Sequence, residues 1–240
     1  MLLNQRYRRP GAADAGGPLN RAAGIPLCRP PVPCEHGVVS TIELYGGTAK
    51  AFADVVARIR DEQWELPGLG VWTVRSLVGH TSRAVQTVID YLALDEPATI
   101  SIATAEQYYA HVTPDAAASA AVARRGIESG IALGADPVPA IAAANKRVLV
   151  RLGEQRLDRR IAVRGGNMLL QEYLRTRLFE LVVHTMDIER ATGIRATFPE
   201  GAVRECARLA AGIAADAGRG EELLLAMTGR ADLPERFSIV

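Results

Sequence analysis

Two parallel lines of side chains run through residues 168–190, and they fix what that segment must face. Leu170, Leu174, Leu178, Leu181, Thr185 and Ile188 recur at spacings of three and four, the period of a helix with one buried stripe. Directly beside it, at the same spacing, run Tyr173, Arg177, Glu180, His184, Asp187 and Ala191. A helix with such a stripe has to pack against other elements. Ionisable side chains on the flank of a buried stripe cost free energy unless they are paired or bind a metal. The segment is expected to be a helix from about Met168 to Arg190, ending before Gly193.

The rest of the chain repeats the helical period. "STIE" offers a capping box, Ser40 as N-cap and Glu43 reaching back, ahead of Ile42, Tyr45, Ala49, Phe52, Val56 and Ile59. Pro67, Gly68 and Gly70 break that helix. Thr73 caps a second one, to about Leu94, whose stripe is Val74, Leu77, Val78, Val85, Val88 and Leu92. His80 lies on the shoulder of this stripe with Leu77, Ala84 and Tyr91, so it looks sideways into an interhelical space. Residues 104–111 suggest a short helix. Thr113 and Pro114 open another, and residues 138–153 continue as helix after "GADPVP". "RRIAVR" alternates briefly and is the one strand candidate. Pro199 opens a helix to about Ala217, and a shorter one follows near residues 220–229. The fold class implied is all-α: a four-helix bundle with extra C-terminal helices.

Hydrophobic residues make up 48% of the 240-residue chain, enough for a sizeable core, while aromatics at 5% favour close helix packing. With 28 basic and 27 acidic residues the net charge is +1, which leaves no electrostatic footprint for nucleic acid or an anionic membrane. Residues 1–38 hold six of the 13 prolines and no apolar period, so a disordered extension is expected there. Cys28, Cys34 and His36 fall inside it. Three cysteines argue against a disulfide framework, and a cytoplasmic location is expected. The expected organisation is this extension, a bundle over residues 39–192 and a helical addition over residues 193–240. A monomer or homodimer suits such a chain.

Glu180 and His184 offer one carboxylate oxygen and one imidazole from adjacent turns. If His80 joins them from the second helix, the set becomes two histidines and a glutamate, a ligand count used for catalytic zinc with one position left open. The alternative is that Glu180 pairs with Arg177 or Arg175 and that His184 is a hydrogen-bonded core histidine. Asp187, one turn beyond His184, either orients it or is a surface carboxylate. Arg177 steadies Glu180 or binds a substrate carboxylate. Tyr91 lines the pocket or packs, and Trp72 fills the turn into the second helix.

The stretch "WELPGLGVWTVRSLVGHTSRA" from Trp64 resembles the metal-binding domain of mycothiol-dependent maleylpyruvate isomerases, within the DinB-like bundle superfamily. The later "EYLRTRLFELVVHTMDI" is similar to the second signature of that family, with Arg177, Glu180, His184 and Asp187 in step. The resemblance covers roughly residues 39–240. It departs at Ser76, where an acidic residue is common, and at Thr81, where Leu is common. Characterised maleylpyruvate isomerase also carries a substantial second domain after the bundle, whereas here the closing residues read as helices.

The resemblance implies a DinB-like four-helix bundle whose divalent metal, Zn2+, is held by His80, Glu180 and His184. It implies mycothiol as a thiol cosubstrate and a small electrophile as the other partner. The reaction class is then a maleylpyruvate isomerase-like cis-trans isomerisation or a thiol S-transfer. A metal-dependent hydrolase and a non-catalytic metal- or ligand-binding bundle are the alternative readings.

Overall fold

Ser40 opens the first helix through the capping box that its sequence announces. Its hydroxyl accepts from the Glu43 amide at 3.2 Å while the Glu43 carboxylate accepts from the Ser40 amide at 2.8 Å. The computed structural model describes residues 40–112, 116–235 and 237–239. In chain order the elements are α1 (Thr41–Val56), α2 (Val74–Leu92), α3 (Ala105–Val112), α4 (Ala116–Ala132), α5 (Pro137–Gly153), β1 (Arg160–Val163), β2 (Gly166–Leu169), α6 (Leu170–Thr192), α7 (Ala202–Asp216) and α8 (Gly220–Met227). Thr73 caps α2 as expected, its hydroxyl accepting from the Ser76 amide. Asp136 caps α5, with Pro137 in the first turn. The expected Thr113 cap, Pro114, Cys28, Cys34 and His36 lie outside the described residues.

The all-α, DinB-like bundle is present. Helix α6 packs on both α1 and α2, α5 lies against the same two helices, and α4 lies along α2. The core stripe of α6 is buried along its whole length, from Leu170 to Ile188. It meets Tyr45, Phe52 and Val56 of α1 and Leu77, Val78 and Val85 of α2 in one continuous core. The Tyr45 hydroxyl donates to the Ala84 carbonyl at 3.1 Å, tying α1 to α2 at the level of the site. Helix α7 lies against α3 and α6, and α8 against α7. No helix among the described residues is long and apolar enough to cross a membrane.

Two expectations are corrected. The strand candidate is not isolated: β1 pairs antiparallel with β2, from Arg160 opposite Leu169 to Val163 opposite Gly166, and Gly165 turns between them at φ 93°. Helix α6 consequently begins at Leu170 and not at Met168, which is a buried strand residue here. Met168 and Leu170 are both apolar and buried, so the run of hydrophobicity crosses the strand–helix boundary without marking it. At the other end α6 runs two residues past Arg190 and stops at Gly193, whose φ of 75° is the left-handed cap.

The crossing of α2 and α4 is backbone to backbone. A Cβ on Gly79 would lie 2.2 Å from the Gly130 nitrogen, so only glycine allows this approach. Gly126 gives Trp72 the same closeness, since a Cβ there would meet its indole at 2.5 Å. These contacts bring α4 over the site end of α2.

A candidate metal centre between α2 and α6

The segment before α2 folds back on itself and presents Trp72. The Gly68 amide donates to the Trp72 carbonyl at 2.8 Å, the Trp72 amide to the Leu69 carbonyl at 2.9 Å, and Gly70 takes φ 57° at the tip. The Trp72 indole N–H donates to the Ala123 carbonyl of α4 at 2.8 Å, which fixes the ring. Its face then meets the imidazole of His80, with centroids 4.5 Å apart and planes tilted by 30°. Thr81, next to His80, is buried and its hydroxyl donates to the Leu77 carbonyl at 2.7 Å.

His80 is brought to the α6 pair. Its Nε2 lies 3.9 Å from Glu180 Oε2, and His184 Nε2 lies 3.3 Å from the same oxygen. One donor atom from each of the three residues falls within 4.8 Å of the others. A tetrahedral ion with nitrogen and oxygen ligands at 2.0–2.2 Å keeps its donors about 3.3–3.5 Å apart. The Glu180–His184 edge has that spacing, while His80 stands wider of Glu180, at 3.9 Å. His80 Nδ1 is buried without a hydrogen-bond partner, so Nε2 is the only nitrogen through which this ring engages a polar group.

The ligand candidates are each held from behind. The Tyr109 hydroxyl of α3 donates to Glu180 Oε1 at 3.0 Å, which leaves Oε2 facing the two histidines. His184 Nδ1 donates to Asp187 Oδ2 at 3.2 Å, and Asp187 Oδ1 in turn accepts from Arg190. Arg177 does not form an ion pair with Glu180. Its guanidinium lies over the rings of Tyr173, at 4.9 Å, and Tyr108, at 5.6 Å, while its Nε donates to the Thr176 hydroxyl. Arg175 is engaged elsewhere, with Glu172 at 2.7 Å and Glu106 at 2.8 Å. Neither arginine neutralises Glu180 by direct contact.

Charge inside the group is unevenly shared. Burial pushes His80 down to about 4, helped by the neighbouring His184. Burial opposes the charge on His184, but hydrogen bonds to Asp187 and Glu180 prevail and raise it to about 9. Glu180 is likewise disfavoured by burial, yet the His184 hydrogen bond and the Arg177 charge hold it down to about 2. Without a cation the triangle is therefore anionic glutamate, protonated His184 and neutral His80.

A cavity of about 340 Å³ opens on this group. Tyr91 lines it, as do Trp72, Tyr109 and Arg177. His111 stays at the exposed end of α3, outside it. Sequence reasoning missed Tyr109 as a partner of Glu180, and with it three arginines of the lining, Arg83, Arg125 and Arg164. The adjacent Tyr108 and Tyr109 were the available signal, two large rings in a short helix that needs something to cover. The arginines gave none, because which of many exposed arginines meet depends on how α4 and the hairpin are laid over α2.

Residues 47–189 match the family model described as the mycothiol maleylpyruvate isomerase N-terminal domain. That segment contains His80, Glu180 and His184. No curated protein and no solved structure matches the chain.

Proposed function

The chain belongs to the mycothiol maleylpyruvate isomerase N-terminal domain family, and on that premise we propose that it is a thiol-dependent metalloenzyme acting on a small electrophile. The observation that carries this reading is the convergence of His80, Glu180 and His184 within 4.8 Å beside an open cavity. Two imidazoles and a carboxylate suit Zn2+, and they leave a coordination position for a cosubstrate.

A bound divalent ion supplies the positive charge that keeps a thiol ionised at neutral pH, which offsets about 2 kcal/mol for a thiol of ordinary pKa. The remaining work falls to side chains of this chain. Trp72 holds the His80 ring by stacking, and Asp187 fixes His184 with Nε2 turned inward. Tyr109 holds Glu180 Oε1 so that Oε2 is presented. Arg177, pinned between two tyrosine rings, keeps a fixed positive charge in the cavity. An electrophile held there is attacked at carbon by the sulfur of the cosubstrate. Attack on an activated cis double bond, rotation and elimination give isomerisation. Attack followed by uptake of a solvent proton and release of the adduct, or by loss of a leaving group such as chloride, gives S-transfer.

Mycothiol is the cosubstrate that the family supports. The test is consumption of mycothiol in the presence of an electrophilic reporter such as monochlorobimane, beside the His184→Ala variant. Wild type should accelerate thiol consumption well above the uncatalysed rate, and the variant should not. Hydrolysis of an ester reporter with no thiol dependence would instead establish the metal-dependent hydrolase.

A further inference from the structure

The cavity carries more positive charge than a metal centre needs. Arg83 of α2, Arg125 of α4 and Arg164 at the hairpin turn line it together with Arg177. Glu180 is the one acidic side chain among the described residues of the lining. The chain as a whole has a net charge of only +1, so this excess is local. Arg177 is already held by its tyrosines. Arg83, Arg125 and Arg164 have no side-chain hydrogen bond or ion pair with a described residue, although nearby Arg124 pairs with Glu128 at 3.5 Å.

Arg164 is exposed while Arg83 and Arg125 are half-buried, so the cluster runs from the rim of the cavity inward. Burial, then the charges of Arg164, Arg83 and Arg124, lower the pKa of Arg125, the mark of like charges held near one another. Three guanidinium groups from three separate elements repel unless an anion lies between them. Their planar forks match the oxygens of a carboxylate or a phosphoryl group.

We infer that Arg83, Arg125 and Arg164 form a recognition site for a doubly charged oxyanion carried by the substrate at its end remote from the reacting carbon. This deepens the function proposed above and rests on its reading of the cavity as the substrate pocket. A dicarboxylate and a phosphate monoester share the required chemistry, and the experiment separates them.

The metal-loaded full chain is titrated with inorganic phosphate and with malonate at constant ionic strength, against chloride, with calorimetric readout. At least one dianion should bind, and Arg125→Ala and Arg164→Ala should each weaken it about tenfold, with metal content and thiol uptake unchanged. Preference for phosphate would identify a phosphoryl group and preference for malonate a dicarboxylate. Absence of binding beyond the chloride control would overturn the inference. So would undiminished binding in Arg164→Ala, an exposed position whose side chain makes no hydrogen bond with a described residue. Dianion binding by a metal-loaded wild type that takes up no thiol would uphold the arginine site while removing the function proposed above.

Discussion

In the proposed centre, His184 carries the proton that a cation would displace. Metal ligands bind in their deprotonated forms. With Glu180 held down to about 2 and His80 to about 4, both are ready at neutral pH, whereas His184, raised to about 9, is not. Because the folded pKa of His184 lies above the working range, metal affinity should rise about tenfold per pH unit between about pH 5 and 8, with about one proton released per ion. Competition with a chelator across that window measures the slope, and a flat profile would show that His184 is not a ligand. Below about pH 4 the protonation of His80 adds a second proton and steepens the loss. Asp187 acts on this balance from outside. Asp187→Asn removes the charged acceptor of the His184 N–H, and should weaken metal binding about 10–100-fold with little change in melting temperature. An unchanged affinity would mean that the hydrogen bond His184 donates to Asp187 plays no part in holding an ion.

Among the elements, the approach of α4 to α2 decides the shape of the site. Trp72 reaches His80 because Gly126 leaves room for its indole and because Ala123 accepts its N–H. Gly79→Ala places a methyl group against the Gly130 backbone, where no flexible side chain can yield. It should destabilise the protein by about 1–3 kcal/mol, read as a lower midpoint in urea, and should disturb the Trp72–His80 contact with it. A midpoint equal to wild type would mean that the two helices are not in backbone contact. The helix starts that depend on local chemistry were readable from a few residues, as the Ser40–Glu43 box and the Thr73 cap show. The hairpin was half-legible. β1 alternates visibly, but "GNML" has two polar or small residues followed by two apolar ones, and these merge with the first turn of α6. Its pairing is set by contact with β1 and by the amides of Ser101 and Ile102, which donate to the Asn167 carbonyl. Ser101 and Ile102 lie far off in the chain.

For the molecule as a whole, the three residues of the candidate centre were legible and their surroundings were not. Glu180 and His184 share a helical face by spacing alone, and His80 stands on the flank of its stripe. Tyr109, Trp72 and the arginines Arg83, Arg125 and Arg164 join them only once α3, α4 and the hairpin close around α2 and α6. Periodicity gives each helix a face and says little about which turn of the neighbour it meets. The organisation of the chain has its own test. Deleting residues 1–38, whose composition suits an extension outside the fold, should leave the melting temperature unchanged to within about 2 °C. A large drop would place part of that segment in the folded core. None of this alters the demand made on the centre, which is that three side chains hold one ion. Elemental analysis of the purified protein beside His80→Ala and Glu180→Gln tests that demand most directly. One divalent ion per wild-type chain and little in either variant is the predicted result. Full occupancy in both variants would contradict it.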